Sequence, residues 1–128
     1  SKKTTIYDES YNASPESVKA CIENLLEKLN NHFLIFGSMH ELGTKSKKYH
    51  EDLFDFIIRS DIKKCIFICD KNDEVYYSDY LKNSKKFLFL NEINNVGETI
   101  NKYTKKGDAV LVKGSRYWQL EKIIKSID

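Results

Sequence analysis

Hydrophobic residues in this chain form two alternating patterns: short unbroken apolar runs, and longer stretches in which apolar positions recur every three or four residues. The unbroken runs cover residues 33–36, 65–69, 87–90 and 109–112, and a weaker run lies around Thr5, Ile6 and Tyr7. Apolar runs without polar alternation are typical of strands that are covered on both faces. The pattern therefore predicts five strands.

The stretches between these runs have helical spacing. The first helix is predicted to begin near Pro15, with Ser14 as its N-cap. A second helix includes residues 49–58, further helices cover 93–103 and 117–127, and the polar stretch 70–84 allows a short helix near Tyr80. The predicted buried faces are Val18, Ile22, Leu25, Leu26 and Leu29 in the first helix, Tyr49, Leu53, Phe54, Ile57 and Ile58 in the second, and Leu120, Ile123, Ile124 and Ile127 in the last.

Strands that alternate with helices predict an α/β fold with a mainly parallel sheet, because parallel neighbours need a crossover between them. The length of 128 residues fits one domain, and the sequence has no repeat, low-complexity tract or long linker. Apolar residues make up 41 % of the chain, enough for a core without disulfides or metals. We therefore expect a single α/β domain.

Composition excludes several classes of partner. The 21 basic and 19 acidic side chains leave a net charge of +2, which does not favour nucleic acid. No apolar run approaches the roughly 18 residues that span a bilayer, and the first residues lack the apolar core of a signal peptide, so we expect a cytoplasmic protein. Cys21, Cys65 and Cys69 lack metal-ligand spacing and are expected to be buried free thiols.

Three polar segments follow predicted strands, and we refer to residues 8–15, 37–43 and 113–116 as the first, second and third segments. In a parallel sheet, ligands bind at the carboxyl ends of the strands, beside the amino termini of helices. We therefore expect the three segments to meet along one edge of the sheet and to form the ligand site.

The third segment, Lys-Gly-Ser-Arg, carries the clearest ligand chemistry. Gly114 permits close approach of a ligand to the backbone, Lys113 adds a mobile charge, and Arg116 offers a planar fork for a carboxylate. The amides ahead of the predicted last helix are suited to an anion. A tight strand-to-helix turn with two solvated cations explains the same residues without a ligand.

The other two segments also allow a structural interpretation beside the functional one. Glu41 is suited to orient an amine, or it marks the positive end of a helix. In the first segment, the carboxylates, Asn12 and the aromatic face of Tyr11 suit a ribose or a purine edge, or they form a capped helix entry. His50 and Trp118 are interpreted as packing residues, and the histidines have no metal spacing.

Taken together, the three segments resemble the motifs of one family, the Mur ligases that add D-alanyl-D-alanine to a UDP-muramoyl peptide. Residues 8–15, D-E-S-Y-N-A-S-P, are similar to the family's D-D-S-Y-N-A-N-P, and residues 37–43, G-S-M-H-E-L-G, to its G-D-M-x-E-L-G. Residues 112–116 match its V-K-G-S-R without a change, and His50 falls where the family commonly has histidine. The similarity runs from about residue 6 to residue 124, with the same order and spacing.

The resemblance implies the carboxy-terminal domain of an ATP-dependent amide ligase of peptidoglycan precursor synthesis. Its implied fold is a Rossmann-like three-layer α/β/α sandwich with a mostly parallel sheet of about five or six strands. In such ligases the amino-terminal domain holds the UDP-sugar peptide, and the central domain carries the P-loop and Mg²⁺. We accordingly expect ATP and Mg²⁺ as cofactors of the full-length enzyme, none bound by residues 1–128 alone, and no ligation by these residues alone.

The resemblance also implies partners and roles. The implied partners are the central and amino-terminal ligase domains, the UDP-muramoyl peptide and D-alanyl-D-alanine, while no residue of this chain is expected to be catalytic alone or to bind a metal. The implied nucleotide contacts are Glu9, Tyr11 and Asn12, and the residues expected to face the dipeptide or the reaction centre are Ser38, Met39, Glu41, Lys113, Ser115 and Arg116.

Departures from the family motifs leave two alternatives open. Glu9 and Ser38 stand where the family has aspartate, and Ser14 where it has asparagine. Since Ser38 lacks a charge near the expected site, one alternative is a binding or regulatory module that has lost catalysis. The other is a related ligase with a different amino acid substrate.

Overall fold

The computed structural model describes residues 4–128, and its centre is a single parallel sheet. Within these residues the sheet has five strands: β1 (Thr5–Glu9), β2 (His32–Gly37), β3 (Ile62–Ile68), β4 (Phe87–Leu90) and β5 (Ala109–Lys113). Their order across the sheet is β1-β5-β2-β3-β4, and every neighbouring pair is parallel. The predicted parallel sheet is confirmed.

Helices cover both faces of this sheet. One apolar cluster packs side chains of α1, α2 and α3 against the sheet, and a second cluster packs α4 and the last 3₁₀ segment against its other face. The three-layer α/β/α architecture is therefore confirmed. No helix in the described part of the chain is long and apolar enough to span a membrane. The α-helices are α1 (Pro15–Leu26), α2 (Ser46–Arg59), α3 (Lys71–Tyr80) and α4 (Val96–Asn101), and the 3₁₀ segments are Gly43–Lys45, Arg116–Trp118 and Leu120–Ser126.

Two residues of the predicted helix faces lie outside the core. Helix α1 begins at Pro15 and is capped by Ser14, as predicted, but it ends at Leu26. Leu29 therefore lies beyond the helix and is fully exposed. Ile58, at the end of α2, is also exposed. The helical spacing located both helices correctly but extended their buried faces too far.

The predicted helix over residues 117–127 is wrong. Two 3₁₀ segments take its place, separated by Gln119 in the left-handed conformation with a φ of 52°. A 3₁₀ helix has three residues per turn, which places Leu120 and Ile123 on the same side, and both are buried as predicted. This side lies close to α4, because a methyl group on Gly97 would be 2.0 Å from Ser126 Oγ.

The three cysteines are free, as predicted. Cys65 and Cys69 are buried in the core, and Cys21 is half-buried on α1. Burial raises the pKa of the Cys69 thiol to about 12, and nearby acidic side chains add to this effect. These buried thiols are therefore protonated and unreactive at neutral pH.

Candidate functional site

The three polar segments meet because the strands that precede them are neighbours. Strand β5 lies between β1 and β2, so that Lys113 is level with Glu9 on one side and with Phe36 on the other. The segments therefore begin at the same height along one edge of the sheet. The predicted meeting of the three segments is confirmed.

Two glycines bring the second and third segments into direct contact. A methyl group on Gly114 would lie 2.9 Å from the backbone N and Cα of Gly37. A methyl group on Gly37 would lie 2.7 Å from Cδ1 of Trp118. Neither position has room for a side chain, so the close approach of the two strand ends depends on both glycines.

Ser38 is fixed between two other elements. Its backbone N–H donates to the carbonyl of Ile68 at 2.8 Å. The indole N–H of Trp118 is shared between the carbonyl and the hydroxyl oxygen of Ser38, at 3.2 Å from each. Trp118, interpreted from sequence as a packing residue, therefore also ties the second segment to the residues after the third.

His50 holds Met39, the next residue of the second segment, through its backbone N–H. The Met39 N–H donates to Nε2 of His50 at 3.0 Å, and Nδ1 of His50 donates to the carbonyl of Ser46 at 2.8 Å. His50 is buried, and this burial lowers the pKa of its imidazole, while the bond to Ser46 acts in the opposite direction. His50 is therefore a packing residue, as predicted, but one that also holds the backbone.

A cleft of about 310 Å³ lies where the three segments meet. Each segment contributes to it, the first through Asn12, the second through Glu41 and the third through Arg116. Glu41 and Arg116 carry opposite charges, and neither belongs to an ion pair within residues 4–128. We call this the segment cleft, and its lining residues are Asn12, Ala13, His40, Glu41, Ser115, Arg116 and Tyr117.

A second cleft, of about 390 Å³, adjoins the other side of Arg116. Asp8 lines it and accepts hydrogen bonds from the backbone N–H of Ser10, at 3.0 Å, and from the Ser10 hydroxyl. Tyr11 stands at its border with 66 % of its surface exposed. We call this the Asp8 cleft, and its lining residues are Asp8, Ser10, Tyr11, Arg116, Gln119 and Glu121.

The structure does not bring every predicted site residue into these clefts. Ser38 and Met39 are each only 4 % exposed and line neither cleft. Glu9 lines a smaller pocket beside α1, on the opposite face of the sheet from Asp8. Lys113 is 2 % exposed, with Nζ 5.6 Å from the ring centre of Tyr11, so the expectation of a mobile charge is wrong.

The structural interpretations of the first two segments are partly confirmed. The first segment is a capped helix entry, because Ser14 caps α1. Glu41 has a φ of 63° and lies outside a helix, but the 3₁₀ segment Gly43–Lys45 begins two residues later and leads directly into α2. At the third segment, the hydroxyl of Ser115 accepts the backbone N–H of Tyr117 at 3.2 Å. One of the amides expected to receive an anion is therefore already satisfied within the chain.

Seven cleft residues are absent from the contacts predicted from the sequence, among them Asp8, His40 and Tyr117. Asp8 could have been found from the alternation of faces along β1, which separates it from Glu9. His40 and Tyr117 gave no local signal, because they meet only in the folded chain. Their rings stack at 4.3 Å between centres with an interplanar angle of 22°.

Comparisons with known sequences identify related proteins. A family model described as Mur ligase, glutamate ligase domain, matches residues 1–116. UDP-N-acetylmuramoyl-tripeptide--D-alanyl-D-alanine ligases from Rickettsia prowazekii and Bacillus subtilis are 37 % and 30 % identical over 120 and 127 residues. These matches cover 89 % and 96 % of this chain but only 25 % and 28 % of the relatives, so the chain spans about a quarter of their length.

Solved structures share the fold. A crystal structure of MurF from Acinetobacter baumannii superposes with a TM-score of 0.81 and 21 % identity, over 99 % of this chain and 28 % of that one. The structure of a UDP-N-acetylmuramoylalanyl-D-glutamyl-2,6-diaminopimelate--D-alanyl-D-alanyl ligase from the same organism has a TM-score of 0.76 and 18 % identity, over 99 % of this chain and 27 % of that one. Identities this low show only that the fold is shared. The family is shown by the family model, which matches most of the sequence. The chain belongs to the Mur ligase, glutamate ligase domain family.

Proposed function

We propose that this chain is the carboxy-terminal part of an ATP-dependent ligase of peptidoglycan precursor synthesis, and that the segment cleft seats D-alanyl-D-alanine. The observation that carries the proposal is the meeting of Asn12, Glu41 and Arg116 around one cleft. The dipeptide has an amine at one end and a carboxylate at the other. The guanidinium of Arg116 suits the planar carboxylate, and the carboxylate of Glu41 suits the amine.

The Asp8 cleft is our proposed contact surface for the nucleotide. Tyr11 offers an exposed aromatic face to a base, and Asp8 offers acceptor oxygens to a ribose. We assign this acidic role to Asp8 instead of Glu9, because Glu9 lies on the other face of the sheet. Residues 4–128 contain no group of three His, Cys, Asp or Glu side chains arranged as a metal site.

The remaining parts of the reaction are proposed to lie outside residues 1–128. The relatives are about four times as long as this chain, which leaves room for a domain that holds the UDP-muramoyl peptide and a domain that carries the P-loop. Alignment of the reactants can lower the activation free energy by about 7–11 kcal/mol. In this proposal the alignment requires a second domain against the cleft edge, so residues 1–128 alone should not ligate.

The position of Ser38 argues against a module that has lost catalysis. That alternative arose because Ser38 lacks the charge of the family's aspartate. However, Ser38 is buried and does not line the segment cleft, and its oxygens accept the indole N–H of Trp118. A carboxylate there would accept the same bond, so the missing charge removes no surface of the cleft. We therefore favour a working ligase.

Steady-state ligation by the full-length polypeptide tests the proposal. Glu41 borders only the segment cleft, so Glu41→Gln should raise the KM for D-alanyl-D-alanine about tenfold and leave the KM for ATP unchanged. Arg116 borders both clefts, so Arg116→Lys should raise both values because the planar fork is lost. Arg59→Lys, at the far end of α2, is the matched control and should change neither.

Two results would contradict the proposal. One is an unchanged dipeptide KM in both the Glu41 and the Arg116 variants. The other is a preference of the unmodified ligase for a single amino acid over D-alanyl-D-alanine, which would favour the alternative of a related ligase with a different substrate.

A further inference from the structure

We propose that His50 is a positioning residue. Its neutral ring accepts the Met39 N–H and so holds the backbone that presents His40 and Glu41 to the segment cleft. Protonation of the ring releases that backbone. The inference rests on the proposed function of that cleft. His50 itself lines neither cleft, so its effect on a ligand is transmitted through the backbone of the second segment.

The two hydrogen bonds of His50 are possible only for one protonation state. The carbonyl of Ser46 can only accept, so Nδ1 carries a proton, and the Met39 N–H can only donate, so Nε2 must be free. A protonated imidazole has N–H groups at both positions. Its Nε2–H would point at the N–H of Met39, which would lose its acceptor and be pushed away.

The surroundings of His50 oppose its protonation. Aromatic rings of β2, α2, β3 and α3 surround it, and burial is the main cause of its lowered pKa. Two titratable groups lie near the ring: Tyr77 of α3, with a distance of 5.5 Å between ring centres, and His40 of the second segment. Asp73 of α3 lies near both of these groups. A charge on His40 lowers the pKa of His50 further. The ring is therefore neutral at neutral pH and becomes protonated only in acid.

The anchored residues lie directly before those that line the cleft. Met39 is buried in the core, and the next two side chains, His40 and Glu41, are exposed and border the segment cleft. Glu41 has a φ of 63°, a conformation that residues with a side chain rarely adopt and that persists where neighbouring structure enforces it. Loss of the Met39 anchor should therefore reorient both cleft residues.

Two substitutions separate the two bonds of the ring. In His50→Gln the amide oxygen reaches close to the position of Nε2, so it can accept the Met39 N–H without titrating. In His50→Asn the amide nitrogen takes the place of Nδ1 and donates to Ser46, but nothing accepts from Met39. The first variant is thus a rescue that removes only the response to pH, and the second removes the anchor at every pH.

The test measures the KM for D-alanyl-D-alanine in the full-length ligase between about pH 7.5 and about pH 5.5. The wild type should lose apparent affinity as His50 is protonated, and His50→Gln should lose less. His50→Asn should have a KM about two- to tenfold higher already at neutral pH, since one buried hydrogen bond is missing. A His50→Asn enzyme with the wild-type KM and pH profile would overturn the proposal.

A second measurement needs no ligand and so separates this inference from the proposed function. The ¹⁵N resonances of the His50 ring and the amide resonances of Met39 and Glu41 should titrate together in residues 1–128. Amide resonances that ignore the titration of His50 would overturn the positioning role. Amides that follow His50 while the dipeptide KM stays constant would support the positioning role and refute the dipeptide site instead.

Discussion

The first and second segments border the same cleft, but they are held in different ways. The second segment is bonded to three separate elements, through Ile68 of β3, His50 of α2 and Trp118. Residues 10–13 of the first segment have only local side-chain bonds, from Ser10 to Asp8 and from Ala13 to Asn12. We therefore call the second segment the rigid wall of the segment cleft and residues 10–13 its adaptable wall.

This difference shows how a site can be both defined and accessible. Hydrogen bonds between buried groups of different elements are lost only when the packing opens, whereas local bonds at a partly exposed turn open at a lower cost in free energy. The second segment should thus fix the position of a ligand, and the first should close over it. Three substitutions test this comparison, in order of decreasing effect on stability.

The largest effect is expected for Gly114→Ala, which disrupts the close contact between Gly114 and Gly37 at the start of the rigid wall. The new methyl group would overlap the backbone of Gly37, which cannot rotate away as a side chain can. The free energy of unfolding should fall by about 3 kcal/mol, the upper end of the range for overpacking. Denaturant titration measures this loss.

A matched glycine provides the control for Gly114→Ala. Gly43 has a φ of 63°, but no atom lies within 4 Å of an added methyl group. Gly43→Ala should therefore cost only about 1 kcal/mol, from the backbone conformation alone. Equal losses in the two variants would mean that the close approach of the strand ends contributes nothing special to stability.

An intermediate effect is expected for Trp118→Phe. The ring packing is largely kept, but both oxygens of Ser38 lose the indole N–H. The loss should be about 1 kcal/mol, and the Ser38 and Met39 amides should exchange with solvent faster. Tyr117→Phe removes only an exposed hydroxyl and serves as the control. Unchanged exchange in Trp118→Phe would show that Trp118 does not hold the second segment.

The smallest effect on stability is expected for Tyr11→Ala in the adaptable wall. Tyr11 is mostly exposed, so its loss should change the free energy of unfolding by no more than about 0.5 kcal/mol. The KM for ATP in the full-length ligase should nevertheless rise, because the proposed base contact is removed. A stability loss as large as that of Trp118→Phe would remove the distinction between the two walls.

The sequence predicted the fold well because the fold depends on periodic patterns. Apolar runs located all five strands, and the positions of the first, second and third segments after β1, β2 and β5 were enough to predict that they meet. The last helix failed for a physical reason. Leu120, Ile123 and Ile127 suit a helical stripe, but the left-handed Gln119 interrupts the segment, and the 3₁₀ turn after it packs closely against Gly97.

The bonds that organise the site could not be predicted in the same way. His50 and Met39 are eleven residues apart, and Trp118 and Ser38 eighty, so no local pattern connects them. Their partners are set by how α2 and the last 3₁₀ segments pack on the sheet. The roles proposed for Glu9, Tyr11, Asn12 and the six predicted dipeptide contacts stay predictions.

The alternation of faces in β1 places the adjacent acidic residues Asp8 and Glu9 on opposite sides of the sheet, so each can change without affecting the surroundings of the other. Asp8 lines the Asp8 cleft, which Arg116 also borders, while Glu9 lines the pocket beside α1 on the opposite face of the sheet. Lengthening the side chain at position 9 should therefore leave the proposed nucleotide surface unchanged, whereas Asp8→Glu should disturb the turn that presents Tyr11. A single-residue insertion earlier in this strand would exchange the faces of the two carboxylates, so that Glu9 would border the cleft and Asp8 would face α1.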